Sequence, residues 1–206
     1  MSAPLGRPIR ICLDVNIWVA YVLNLSRGRK TGLLADLIDL VERGNCEAGP
    51  VQLVTSLRML ATQEETLLRL GLAPDDVARF GAAIAEMMRH GPERLDPFLL
   101  PESGGSLPLH DTEDAGVLAA AFASRADLLI TNNLADFAAK DAERLPTRQG
   151  GSSSNSASRD HALIFERNDG VALVVAHPFD ALEWLRAGVA PRPDAVRGYC
   201  YAQGRS

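Results

Sequence analysis

Acidic residues stand in this chain where apolar strands end or helices begin, and that placement constrains the fold more than any other feature. Asp14 closes the apolar run Ile9-Arg10-Ile11-Cys12-Leu13. Asp111 and Asp114 open the helix-like run over residues 117–123, and Asp136 follows Leu128-Leu129-Ile130-Thr131 within a few residues. In an open α/β sheet the carboxyl ends of the parallel strands face one crevice, which is where ligands bind. Carboxylates gathered there repel one another, and a divalent cation neutralises them. The pattern therefore points to a parallel sheet and to metal-assisted phosphodiester chemistry.

The rest of the pattern is consistent with such a sheet. Residues 9–13, 51–55 and 128–131 read as buried strands. Helical periods occupy residues 16–24, 31–43, 57–70 and 74–90, with Gly44 and Gly71 as stops and Ser56 as an N-cap. A short strand at 98–100 is a further candidate. Alternation of strands with helices of this length implies helices on both faces of a parallel sheet. Residues 162–165 and 171–176 flank Asn168-Asp169-Gly170, a strong hairpin signal, and a last helix follows His177. The expected fold is a three-layer α/β/α domain over residues 1–187 with a central parallel sheet, a C-terminal β-hairpin and a helix. The Gly/Ser-rich stretch 148–160 reads as a flexible loop inside it, and the Pro-, Gly- and Arg-rich segment 188–206 as a disordered tail.

Composition narrows the function classes. With 206 residues, 47% hydrophobic and 23% charged, the chain is an ordinary globular domain with a real core. No stretch approaches the ~20 apolar residues of a membrane span, and Met1 to Arg10 lacks the apolar core of a signal peptide, so a cytoplasmic location is expected. Cys12, Cys46 and Cys200 are odd in number and widely spaced, and read as free thiols. The net charge of −5 argues mildly against broad nucleic-acid affinity, although catalytic carboxylates themselves make a metal nuclease acidic. A local basic patch, Arg27-Gly28-Arg29-Lys30, is a candidate RNA contact or simply a solvated loop. No Gly-rich phosphate loop follows any strand, which weighs against a nucleotide-binding α/β protein.

Leu13-Asp14-Val15-Asn16-Ile17-Trp18 resembles the opening of the PIN-domain family, in which a strand ends in Asp followed two residues later by Asn, Ser or Thr. Asp111-Thr112-Glu113-Asp114-Ala115-Gly116 resembles that family's central Asp-x-x-Asp and Ala-rich helix. Residues 126–137 are similar to its fourth strand and following loop. The blocks occur in family order across residues 9–140. The resemblance implies a Mg²⁺- or Mn²⁺-dependent ribonuclease, like the VapC-type toxins of toxin–antitoxin pairs, with metal held by three or four acids. It also implies an RNA substrate, an antitoxin partner and a homodimer.

Carried onto this chain, the resemblance assigns Asp14, Asp114 and Asp136 as metal ligands. The second acid, expected six residues beyond a Ser-like cap, falls on Thr62. Glu64 is the nearest substitute, on the inward stripe Leu57, Leu60, Ala61, Glu64, Leu67 and Leu68. A second stripe, Met59, Leu60, Gln63, Thr66, Leu67 and Leu70, would turn Glu64 sideways. At the fourth position Asn133 replaces the family's Asp. Asp14 and Asp111 also have capping roles open to them, and capping is preferred for Asp111. Asn16, Thr131 and Asn133 are supporting polar groups that position a ligand or cap a turn. Two readings follow: a PIN-type metal-dependent endoribonuclease with Asp14, Glu64, Asp114 and Asp136 as its catalytic acids, or a degenerate PIN-like module that binds RNA or protein and cleaves nothing.

Overall fold

The computed structural model describes residues 7–97, 112–138, 141–145 and 162–203, the side chains of residues 112–114 and 203 excepted. Its centre is β1 (Ile9–Leu13), buried at every position but one. Apolar residues that occupy both faces of a strand demand cover on both sides, which only a sheet between two helical layers supplies. β1 pairs in parallel with β3 (Gly49–Val54) on one side and β4 (Leu128–Ile130) on the other. β7 (Ala172–Ala176) continues the parallel set beyond β4. The edges are antiparallel: β2 (Asn45–Cys46) on β3, β6 (Ala162–Glu166) on β7, and β5 (Glu143–Leu145) on β6. The sheet order is β2-β3-β1-β4-β7-β6-β5.

Alternation along β1 divides the core between the two faces. Ile9, Ile11 and Leu13 join one cluster, and Cys12 joins the other. The first cluster takes in Ile17 and Trp18 of α1 (Val15–Ser26), Leu37 and Val41 of α2 (Leu33–Arg43), Ile84 and Met88 of α4 (Pro74–His90), and Leu182 and Leu185 of α6 (Pro178–Arg186). The second takes in Met59 of α3 (Leu57–Arg69), Val117 and Leu118 of α5 (Thr112–Ala123), and Phe137 of a short 3₁₀ turn (Leu134–Phe137). This is the three-layer α/β/α arrangement expected.

Connectivity positions the site. From β1 the chain passes through α1 and α2 to β3 on one flank, then through α3, α4 and α5 to β4 on the other. The direction of winding thus reverses between β1 and β4, and the crevice of an open α/β sheet lies at such a switch point. Asp14 and Thr131 are the residues that follow these two strands.

Two elements depart from expectation. The hairpin around Asn168-Asp169-Gly170, with Gly170 at φ 79°, is not an appendage: β7 hydrogen-bonds to β4 and makes β6 and β5 part of the main sheet. The segment 188–206, expected as a disordered tail, carries α7 (Pro193–Gln203). Val196 is fully buried against the first core cluster. Arg197 donates to Glu143 on β5 at 3.0 Å and to Glu166 on β6 at 3.2 Å. Tertiary anchors override a composition that by itself reads as disorder. The candidate strand at 98–100 and the loop 148–160 lie outside the described residues.

Candidate active site

Asp14 is the first residue after β1, and its backbone N–H donates to Ile130 O of β4 at 3.0 Å, which ties the two switch-point strands together. The residue is only 3% exposed. Thr131 Oγ1 donates to Asp14 Oδ2 at 2.7 Å, and Asn16 Nδ2 donates to the same oxygen at 2.6 Å. Asn16 is itself oriented, because Asn132 N–H donates to its Oδ1 at 3.3 Å. Thr131 Oγ1 accepts from Asn133 N–H at 3.0 Å and from Asn16 Nδ2 at 3.3 Å. One hydroxyl hydrogen and two lone pairs are then all engaged. Asn16 and Thr131 thus hold the Asp14 carboxylate by their side chains, and Asn133 contributes through its backbone N–H to Thr131.

Burial pushes the Asp14 carboxyl above the usual carboxylate range, against the hydrogen bonds from Thr131, Asn16 and the Val15 and Asn16 N–H groups that favour its charge. Asp14 is also the N-cap residue of α1, where its carboxylate faces the Val15 and Asn16 N–H groups without a full capping hydrogen bond. Cys12, packed beneath it, has its thiol raised by burial first and by the Asp14 charge second, so it stays neutral and inert.

A cavity of about 260 Å³ opens beside Asp14, walled by α1, α3 and α5. Val15, Val19, Met59 and Val117 make its apolar lining. From α3 it receives Arg58, Thr62, Thr66 and Arg69, and from α5 Gly116. The Ser56 hydroxyl caps α3 by accepting from Met59 N–H at 3.2 Å, which fixes the phase of the helix on the end of β3. With that phase Met59, Leu60, Gln63 and Leu67 are buried, while Leu57 and Leu68 are exposed. The protein turns the second stripe inward from Met59 to Leu67 and leaves its last member, Leu70, exposed.

This corrects the assignment of Glu64. It does not line the cavity; it lies against α4, where a Cβ on Gly81 would meet its Oε1 at 2.5 Å. Thr62 takes the cavity-facing place instead. Asp136 also lies apart from the cavity lining: it is exposed on the 3₁₀ turn and accepts a hydrogen bond from Asn133 Nδ2. Its link to Asp14 runs through Asn133 and Thr131. Arg27, Arg29 and Lys30 are exposed beyond the far end of α1, whose 12 residues carry the chain about 18 Å from Asp14. Asp111 lies outside the described residues. Asp114 is in the first turn of α5, two and three residues before the cavity-lining Gly116 and Val117.

Arg58, Thr66 and Arg69 are the cavity residues that sequence reasoning missed. Their signal was present, because positions 58, 62, 66 and 69 recur at helical spacing and share one face. Attention to acids hid a stripe made of hydrogen-bond donors.

A PIN-domain model matches residues 10–135, more than half of the chain, and spans every element that builds this cavity. The chain belongs to the PIN-domain family, whose members are in general nucleases and typically work with divalent metals. No curated protein and no solved structure matches it. No helix among the described residues is long and apolar enough to cross a membrane.

The donor chemistry tests whether a divalent metal suits this site. Among the described residues no three His, Cys, Asp or Glu side chains gather as a metal cluster. Mg²⁺, however, keeps several waters and needs only one or two carboxylates. Asp14 is a hard oxygen donor held dry and rigid, and a nearby cation offsets the cost of its burial. The fit rests on Asp14, the one carboxylate among the described residues that line the cavity.

Proposed function

We propose that the protein is a metal-dependent endoribonuclease of PIN type that hydrolyses RNA phosphodiester bonds, and that it acts as the toxin of a toxin–antitoxin pair. The observation that carries the nuclease reading is the buried Asp14 carboxylate at the switch point. Two side-chain donors hold it, and it borders a cavity that α5, the helix of Asp114, also walls. Asp14 and Asp114 hold Mg²⁺ or Mn²⁺. When bound, the metal lowers the pKa of a water and stabilises charge on the phosphate. Thr131 and Asn16 orient the carboxylate, and the Asn132 N–H keeps the Asn16 amide turned with its NH₂ toward Asp14. The apolar walls from Val15, Met59 and Val117 limit water around the reacting group.

Asp14→Asn and Asp114→Asn test the reading. Each is expected to lose Mn²⁺-dependent cleavage of single-stranded RNA and saturable Mn²⁺ binding by calorimetry, with the fold retained. Wild-type cleavage by both variants overturns it.

A specific observation favours a second reading, a degenerate PIN-like module that binds RNA or protein without cutting. Thr62 stands at the cavity where the family has an acid, Asn133 replaces the fourth acid, and Glu64 faces α4. RNA binding without any Mn²⁺ binding or cleavage selects it. In the toxin version an antitoxin protein covers the crevice and sets an arginine against the carboxylates, and the toxin is a homodimer. A small reading frame beside the gene and a sedimentation mass twice 22.1 kDa are the observations that bear on this.

A further inference from the structure

We propose that Arg58, Thr62, Thr66 and Arg69 form a phosphate-binding track along α3 that holds the backbone of a single-stranded nucleic acid beside Asp14. The proposal takes its ligand class from the nuclease reading but needs neither the metal nor cleavage. The four residues fall at i, i+4, i+8 and i+11, so they share one face of the helix and all line the same cavity. Eleven residues of helix span about 16 Å, long enough for more than one phosphate and far longer than a single bound anion requires.

The charge of this cavity is the second support. The chain carries −5 overall, yet among the described lining residues Arg58 and Arg69 stand against Asp14 alone. Arg58 has no hydrogen-bond or ion-pair partner among the described residues. Its guanidinium lies along α5, with Nε 3.8 Å from where a Cβ on Gly116 would stand, which is ordinary van der Waals contact. Arg69 Nη2 donates to Thr66 Oγ1 at 3.2 Å, which aligns that hydroxyl with the arginine. Arginine forks match phosphate oxygens in pairs, and threonine hydroxyls serve as backbone contacts that carry no sequence information. The apolar lining of Val15, Val19 and Met59 gives the sugar and base a dry wall.

The track explains why Thr62 occurs where an acid is expected: a glutamate midway along it would repel the phosphates on either side. The test is fluorescence anisotropy of a labelled 12-nucleotide RNA with the full chain in EDTA, titrated with salt. Arg58→Gln and Arg69→Gln are each expected to weaken binding about tenfold. Each should also flatten the slope of log K against log salt by about 0.7, one phosphate contact on a single strand. Thr62→Glu should weaken metal-free binding more than either, and Arg43→Gln, on α2, should leave the slope unchanged. DNA of the same sequence is expected to respond to each substitution as RNA does, because the contacts are to the backbone; losses confined to RNA overturn a backbone track. Competition by millimolar inorganic phosphate that equals competition by the oligonucleotide reduces the track to a single-anion site and overturns it. If the wild type binds RNA and the arginine variants match it in affinity and slope, the track is wrong while the nuclease reading survives. If the wild type binds neither polymer in EDTA, the track is wrong, and the nuclease reading is decided separately by Mn²⁺-dependent cleavage. Circular dichroism melts of the variants, whose altered side chains are exposed or half-buried, confirm that the fold is kept.

Discussion

Replacing Thr131 by Val removes one hydroxyl from the centre of the site and nothing else of comparable size. Thr131 is fully buried, and its Oγ1 donates to Asp14 Oδ2 at 2.7 Å. A hydrogen bond to a charged group contributes about 1.5–3 kcal/mol. The orphaned N–H of Asn133 belongs to an exposed residue and regains a water, so it adds little. An extra buried methyl offsets at most about 0.8 kcal/mol. The net loss at neutral pH is therefore about 1–2 kcal/mol. The pH dependence separates this cause from mere repacking. Burial already raises the Asp14 carboxyl in the folded state, and the Thr131 bond pulls it down. Valine raises it further. A group whose folded pKa lies above its unfolded value contributes stability that is fully present below the unfolded value, near 3.9 for Asp, and lost as pH rises through the folded value. Thr131→Val deepens that loss, so its destabilisation should grow between about pH 3.5 and pH 7. Urea denaturation at both pH values measures it. A destabilisation below about 0.5 kcal/mol at pH 7, or one equal at the two pH values, refutes the argument that the hydroxyl serves the charged carboxylate.

Two further outcomes follow from the packing. Gly81→Ala puts a methyl where Glu64 Oε1 now sits, 2.5 Å from the new Cβ, but that oxygen ends a flexible chain and can swing away. Helix propensity then dominates, and the variant should gain about 0.5–1 kcal/mol by thermal denaturation without altering RNA cleavage; lost cleavage here, or in Glu64→Gln, would return Glu64 to the site. Val196→Ala should cost about 2 kcal/mol and lower Tm by about 5 °C, because the side chain is fully buried, and an unchanged Tm would show that α7 is not packed.

What the sequence made legible about the fold was local. β1 and its helices declare themselves because Ile9, Ile11 and Leu13 need cover on one face and Cys12 on the other, and because Ser56 and Gly44 mark helix ends within a few residues. α7 does not. Its anchors are Arg197 to Glu143 and Glu166, 54 and 31 residues away, and Tyr199 to Glu183, none of which a local window contains. The two-residue β2 escapes for a related reason: it exists only as the partner of β3, closed through Gly49 at φ 134°.

The site was legible for Asp14, Asn16 and Thr131, each tied to the end of a strand whose position was readable, and illegible on α3, where everything depends on rotation. The stripe with more apolar residues, Leu57 to Leu68, would have turned Glu64 inward. The protein instead buries Gln63, whose Nε2 finds no partner among the described residues, and exposes Leu57 and Leu68. An unpaired buried amide costs about 1–3 kcal/mol, so apolar burial along α3 alone did not choose this phase. The Ser56 cap and the gap left by Gly81 agree with it: the first holds the helix start to β3, and the second admits Glu64 against α4. Positions 62 and 64 lie about 200° apart on a helix, so the rotation that takes Glu64 out of the cavity brings Thr62 in. It brings Arg58, Thr66 and Arg69 with it. The exchange of an acid for a line of donors is thus one event in the packing of α3, and Thr62→Glu is the substitution that reverses it without disturbing the helix that carries it.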